Sequence, residues 1–282
     1  MRLEKNVDGL ALFGIALVSA TLLMTELALT RIFSVVMYYH FAFLAISIAL
    51  FGLSASGVFA YVFRERLDRV PTDTFLARQS LVYAAATLVA LFVLVRIHTG
   101  LTYSPRNLVK VLLIYAFAAL PFFAGGLVLT LAVSRFSRRI NAVYASDLIG
   151  ASAGCLLLIP LLDRLGAPGV VLTAAALAVV GGVLFAPGAA RARMAGAGGL
   201  LIATALVGHL SGVASFDIAV TKGHLGDVVL FNKWNSFSRI GVYARPHDDW
   251  SLSAEYHGPR PDTLYMASAS HWVCPCPPAS AS

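Results

Sequence analysis

Residues 32–63 read IFSVVMYYHFAFLAISIALFGLSASGVFAYVF, a run of 32 positions without one Asp, Glu, Lys or Arg. About 20 apolar residues suffice for a helix to cross a hydrocarbon core of ~30 Å. Six further apolar stretches of 15 or more uncharged residues lie at 9–25, 79–95, 111–134, 148–162, 165–190 and 194–216. Helices of a soluble fold need a polar face, and these runs offer none. The composition agrees, with 59% hydrophobic and 12% charged residues and a mean hydropathy of +0.80. The expected fold is an all-α polytopic membrane helix bundle of about seven transmembrane helices, with a short β-rich C-terminal stub.

Candidate spans fall at 10–31, 37–63, 79–97, 110–134, 143–163, 168–187 and 195–213. They divide the chain into a helical domain at 1–213, a β-rich stub at 214–266 and a tail at 267–282. Val18-Ser19-Ala20 loosely fits a signal-peptidase site, but the apolar segment continues past it, which favours an uncleaved first helix. The last span is short, glycine-rich and carries His209.

The net charge of +7 does not point to nucleic acid, because the basic residues sit in short clusters between spans, as orientation signals do. With the N-terminus inside, eleven basic residues fall on the inner side: Arg2, Lys5, Arg64, Arg66, Arg69, Arg78, Arg135, Arg138, Arg139, Arg191 and Arg193. Five fall on the outer side, namely Arg31, Arg96, Arg106, Lys110 and Arg164. The expectation is therefore a multi-pass protein of the cell inner (plasma) membrane with a cytoplasmic N-terminus. Its partners are the lipid bilayer and, through helix–helix contact, other helices or a second copy. Neither nucleic acid nor metal is expected.

Small residues mark where helices approach closely, since lipid tails give no hydrophobic drive to association. Gly150 and Gly154 form a GxxxG, Gly52 and Ser56 share the same spacing, and Gly125-Gly126 follows Pro121. In the tail, 227–234 and 238–245 are β-rich runs around Asn235-Ser236, a hairpin signal, and Thr263–Met266 is a third short strand. From Ala267 the sequence turns to Ala, Ser, Cys and Pro, and 267–282 reads as disordered.

Three intramembrane polar residues are candidate sites: Glu26, Arg31 and Asp147. At 100° per residue, Ser19, Glu26 and Thr30 share one face of the first span, whereas Arg31 lies some 140° around from Glu26. An unpaired charge near mid-bilayer costs about 3 kcal/mol or more, so Glu26 is expected inside the bundle, beside a basic or hydroxyl partner or in a protonated form. Asp147 shares a face with Gly150, Ala151 and Gly154 and is expected to meet another helix. One reading makes these groups a proton or substrate relay, or a polar ligand pocket. The other is structural: Glu26 pairs with an arginine, Arg31 snorkels and Asp147 caps a helix.

His40 lies among Tyr38, Tyr39, Phe41 and Phe43, as in an interfacial aromatic belt, and His98 and His209 are isolated. Cys155 lies in an apolar run, while Cys274 and Cys276 are too close together for a usual zinc knuckle. No HExxH, Walker loop, G-x-S-x-G or G-x-G-x-x-G occurs, so no cofactor is expected.

Two stretches carry a resemblance. The first runs from Pro121-Phe-Phe-Ala-Gly-Gly-Leu-Val-Leu through Ser134-Arg-Phe to Tyr144-Ala-Ser-Asp-Leu-Ile-Gly-Ala-Ser-Ala-Gly-Cys and Pro160-Leu-Leu, accompanied by Glu26-Leu-Ala-Leu-Thr-Arg-Ile-Phe. It resembles the N-terminal membrane domain of bacterial membrane-bound spermidine synthase-like (polyamine aminopropyltransferase-like) proteins. The second, Lys233-Trp-Asn-Ser-Phe-Ser-Arg-Ile-Gly-Val-Tyr with Leu264-Tyr-Met266, is similar to the β-rich segment that precedes their catalytic domain. The resemblance implies a following Rossmann-like transferase domain that binds decarboxylated S-adenosylmethionine, and residues 217–266 hold no counterpart of it. It therefore implies a truncated or frameshifted product, not active alone in aminopropyl transfer. The rival expectation is a small transporter or ligand-binding membrane protein that uses the Glu26 and Asp147 carboxylates.

Overall fold

The computed structural model describes residues 8–36, 40–97, 104–212, 216, 218, 228–235, 239–244, 264–268 and 272–276. Among them the helices are α1 (Gly9–Val36), α2 (His40–Val62), the single turn α3 (Arg64–Leu67), α4 (Thr72–Arg96), α5 (Pro105–Arg135), α6 (Ile140–Phe185) and α7 (Gly188–Leu210). Strands β1 (Val228–Trp234), β2 (Arg239–Ala244), β3 (Leu264–Ser268) and β4 (Trp272–Cys276) follow. Six of the helices are long and apolar enough to cross a membrane.

The 46 residues of α6 would span about 70 Å if straight, more than twice a bilayer core. They are instead two arms that meet at Gly166, whose φ of 68° and ψ of 171° break the helix. Only glycine takes that backbone region cheaply, and Pro168 then starts the second arm where a missing N–H costs nothing. In the first arm Gly150 rests on Ala16 and Gly154 on Ala20, so it runs parallel to α1. In the second arm Gly181 meets Val18 while Phe185 meets Gly14, so it runs antiparallel to the same stretch of α1. The chain therefore reverses at Gly166, and the two spans expected at 143–163 and 168–187 are these arms. Counting both, the described residues make seven passes along the bundle.

The core forms around α1, whose Ile15, Val18, Met24, Ala28, Ile32 and Phe33 are fully buried. Close approach uses the small residues read from the sequence. Gly52 faces Phe122 and the Ala119 carbonyl, Ser56 touches Gly126, and Gly125 receives Leu22. The Gly150/Gly154 face is filled by α1 and is not open to a second copy. Helix α5 runs through Pro121 without interruption. The outer faces are apolar, with Phe43, Leu50, Phe51 and Tyr61 of α2 and Leu148, Ile149 and Leu156 of α6 exposed. Such a belt suits lipid and would be an aggregation liability in water.

Polar contacts pin the connections. The Arg135 guanidinium donates from Nη1 to the Val70 carbonyl at 2.8 Å and to Thr72 Oγ1 at 3.0 Å. From Nη2 it donates to the Leu67 carbonyl and lies 3.7 Å from Asp68. This joins the end of α5 to the α2–α4 connection. In the bundle interior, Gln79 donates to the Ala124 carbonyl at 3.3 Å, which ties α4 to α5.

The four strands form one antiparallel sheet in the order β1-β2-β3-β4. Strands β1 to β3 follow the β-rich runs read from the sequence, and Trp234 pairs with Arg239 across the hairpin. The tail expected to be disordered from 267 departs from that reading. β3 runs on to Ser268, and Trp272–Cys276 forms β4. Trp and Val favour strands, and Pro275 is tolerated because β4 is an edge strand. The rest of 267–282 lies outside the described residues.

The sheet is seated at one end of the bundle, with Trp234 packed on Gly166 at the α6 reversal. Because the first arm of α6 runs parallel to α1, this end is opposite the Gly9 start of α1. Helix α7 returns alongside the second arm, with Gly198 on Val179, and Phe216 and Ile218 just beyond it join the hydrophobic core that Trp234 packs against. Helix α7 thus runs antiparallel to that arm, toward the end where Arg239 of β2 donates to the Ile218 carbonyl.

Candidate functional site

Helices α1 and α6 bring Ser19 and Asp147 together. Ser19 Oγ donates to Asp147 Oδ1 at 2.5 Å, between a buried hydroxyl and a half-buried carboxylate 128 positions apart. Gly150 and Gly154 allow this, since their lack of side chains lets the two backbones meet a turn away. Asp147 is not a helix cap: α6 begins at Ile140, two turns earlier, because Asn141–Ser146 continue the helix upstream. The expectation that Asp147 faces another helix holds, and its partner is a hydroxyl. A double-mutant cycle with Ser19→Ala and Asp147→Asn is expected to give a coupling of about 0.5–1.5 kcal/mol in thermal unfolding, as for a typical intramolecular hydrogen bond. Additive effects would remove the bond from the account.

Glu26 stands two turns beyond Ser19 on the same face of α1, about 10 Å along the axis. Leu22, one turn before it, packs on Gly125 of α5. Glu26 therefore occupies the face of α1 between α5 and the first arm of α6, and it is half-buried. The basic or hydroxyl partner expected for it is not found among the described residues. The nearby Thr30 hydroxyl donates to the Glu26 backbone carbonyl at 2.8 Å, not to the carboxylate. Arg31 is half-buried in the last turns of α1 and has its own interaction partner. The structure thus unites Asp147 with α1 but does not bring Glu26, Arg31 and Asp147 into one cluster.

A polar seam between α1 and α4 escaped the sequence reading. The Tyr83 hydroxyl, fully buried, lies 3.0 Å from Thr25 Oγ1. Thr87 and Ser80 return their hydroxyls to the carbonyls of Tyr83 and Leu76 at 2.9 Å. Every hydroxyl here has a partner, as burial in an apolar medium requires. The available signal was Ser80, Tyr83 and Thr87 at helical spacing within an apolar run.

At the far end of α7, His209 Nδ1 accepts the Phe216 amide at 3.1 Å, and the two rings lie 5.8 Å apart. This ties Phe216 back to the last turn of α7, which ends before Gly212 with its φ of 74°. The His40 side chain and all of His98 lie outside the described residues. Cys155 is a free, half-buried thiol. Among the described residues no group of three or more His, Cys, Asp or Glu is placed to hold a metal. The sheet has no parallel strand with a crossover helix among those residues, which is the unit a nucleotide donor pocket is built on.

Comparison of the chain with known protein families, with curated proteins and with solved structures finds no match.

Proposed function

We propose that this chain is the membrane-embedded part of a spermidine synthase-like protein, a helical scaffold that presents a β-rich segment at one end of its bundle. The observation that supports this reading is spatial. Of the stretches that carry the resemblance, the one around Asp147 forms the first arm of α6, the Pro121 stretch packs on α1 and α2 through Gly125 and Gly126, and the Trp234 stretch lies at the α6 reversal. The Asp147 stretch lies against α1 just before the Glu26 stretch, and the Trp234 stretch is seated on Gly166. On this reading the bundle holds the sheet in place through the Gly166–Trp234 contact.

In the proposed orientation the eleven basic residues of the N-terminal end lie in the cytoplasm of an inner-membrane protein. Seven passes then put the sheet on the opposite side, away from the compartment where an adenosyl donor is made. The chain by itself is therefore assigned scaffolding and not aminopropyl transfer. A reporter active only outside the cytoplasm, fused after residue 218, is expected to be active, and one fused after residue 70 to be silent. Reconstituted chain is expected to give no turnover of decarboxylated S-adenosylmethionine with a polyamine acceptor, since transfer needs a pocket that positions donor and amine together. Turnover that survives purification would overturn the scaffold reading.

The second reading, a transporter that uses intramembrane carboxylates, has one observation behind it: Glu26 sits half-buried between α5 and α6 without a partner among the described residues. Uptake of labelled polyamine into proteoliposomes that is abolished by Glu26→Gln would favour it. The scaffold reading expects no uptake.

A further inference from the structure

Arg135 joins two basic clusters that lie far apart in the chain. Its bonds to Leu67, Val70 and Thr72, 68, 65 and 63 positions away, set the end of α5 on the α2–α4 connection. Arg64, Arg66 and Arg69 from that connection and Arg138 and Arg139 from the turn after α5 are all exposed, at the same end of the bundle. Two carboxylates lie on residues 63–72 and 135–142, Glu65 and Asp68. Asp68 is already engaged, 3.8 Å from Arg64 and 3.7 Å from Arg135. Glu65 is exposed, and Asp73 in the first turn of α4 is half-buried. The patch is strongly positive.

Its borders are apolar and exposed: Phe63, Val70, Ile140 and Tyr144. The Arg66 guanidinium lies over the Phe63 ring, 5.8 Å from its centre. Guanidinium groups beside exposed aromatic and aliphatic side chains, at the ends of spans, mark the depth where hydrocarbon gives way to headgroups. Planar guanidinium forks match phosphate oxygens, and basic segments next to spans gain from anionic lipid.

We propose that this arginine patch is a binding site for the phosphate of anionic phospholipid headgroups. The apolar border selects lipid over a soluble anion, because acyl chains cover Phe63 and Ile140 while the phosphate meets the arginines.

The test uses the full chain in nanodiscs of phosphatidylcholine with rising phosphatidylglycerol, read by thermal unfolding and by native mass spectrometry of retained lipid. The melting temperature is expected to rise by several degrees with phosphatidylglycerol, and phosphatidylglycerol to be retained over phosphatidylcholine. An Arg66→Gln, Arg69→Gln, Arg138→Gln, Arg139→Gln variant is expected to lose most of both effects. Arg191→Gln with Arg193→Gln removes charge from the same end outside the patch and is expected to keep them. Equal stabilisation and retention with both lipids would overturn the proposal, as would equal loss in the two variants. Inorganic phosphate that reproduces the shift in phosphatidylcholine discs would overturn the lipid assignment. If the fourfold variant does not fold, selective retention of phosphatidylglycerol by the wild-type chain, weakened by Arg138→Gln with Arg139→Gln, decides the matter.

Discussion

Gly150→Val is expected to melt roughly 5–10 °C below the wild-type chain in a mild detergent. A Cβ at position 150 meets the Ala16 carbonyl and Cα, backbone atoms that have no rotamer to yield. Overpacking typically costs about 1–3 kcal/mol, and it costs more when the obstacle is backbone. Because α1 lies against both arms of α6, separating it from the first arm also loosens Gly181 and Phe185 of the second. The Ser19–Asp147 bond lies a turn away and is lost with the same displacement. Gly57→Ala is the control. A Cβ there meets nothing within 4 Å, and helix propensity favours the alanine by up to about 1 kcal/mol. If the two variants melt alike, α1 and α6 do not pack as described.

Arg135→Met is expected to destabilise the chain by about 1–3 kcal/mol, the cost of removing the donor from two carbonyls and a hydroxyl in a part-exposed, charge-assisted network. The carbonyls of Leu67 and Val70 lose their donor, and Asp68 loses a partner at 3.7 Å. Lysine is a point charge without the fork that reaches Val70, Thr72 and Leu67 together, so Arg135→Lys should recover less than half of the loss. A second readout separates this latch from general charge. Arg64, Arg66 and Arg69 are sites for trypsin, and once the connection is released they should be cut faster in Arg135→Met. Arg139→Met, at an exposed position, keeps the latch and should leave both stability and cleavage nearly unchanged. Unaltered cleavage in Arg135→Met would mean that the α2–α4 connection is held by something else.

Glu26 shows how far a sequence pattern reaches. Its place on the Ser19–Thr30 face of α1 was legible from the helical repeat, and so was the direction of that face toward the bundle, since Ser19 does meet α6. Its surroundings were not, because a partner depends on which helix stands beside α1 at that depth. The same holds for Asp147. Its face was evident from the spacing to Gly150 and Gly154, but the residue expected to cap a helix lies two turns inside one. Arg135 was visible only as one basic residue in an orientation signal. Its acceptors are backbone carbonyls, which leave no mark in a side-chain pattern.

The sequence by itself determined that this is a multi-pass helical membrane protein, where its spans fall and which small residues allow helices to touch. These follow from local properties: uncharged length against bilayer thickness, and the absence of a Cβ at Gly52, Gly150 and Gly154. The boundary between the spans at 143–163 and 168–187 belongs with them, whereas the break at Gly166, which rests on the conformational freedom of glycine, came only from the structure. Only the tertiary structure decided that the Gly150 face is filled by α1, that the sheet sits on Gly166 at the end away from residue 9, and that two arginine clusters form one patch. In apolar spans nearly every face is hydrophobic, so periodicity cannot say which face meets which helix. That choice is made by packing shape and by a few polar bonds between residues far apart in the chain.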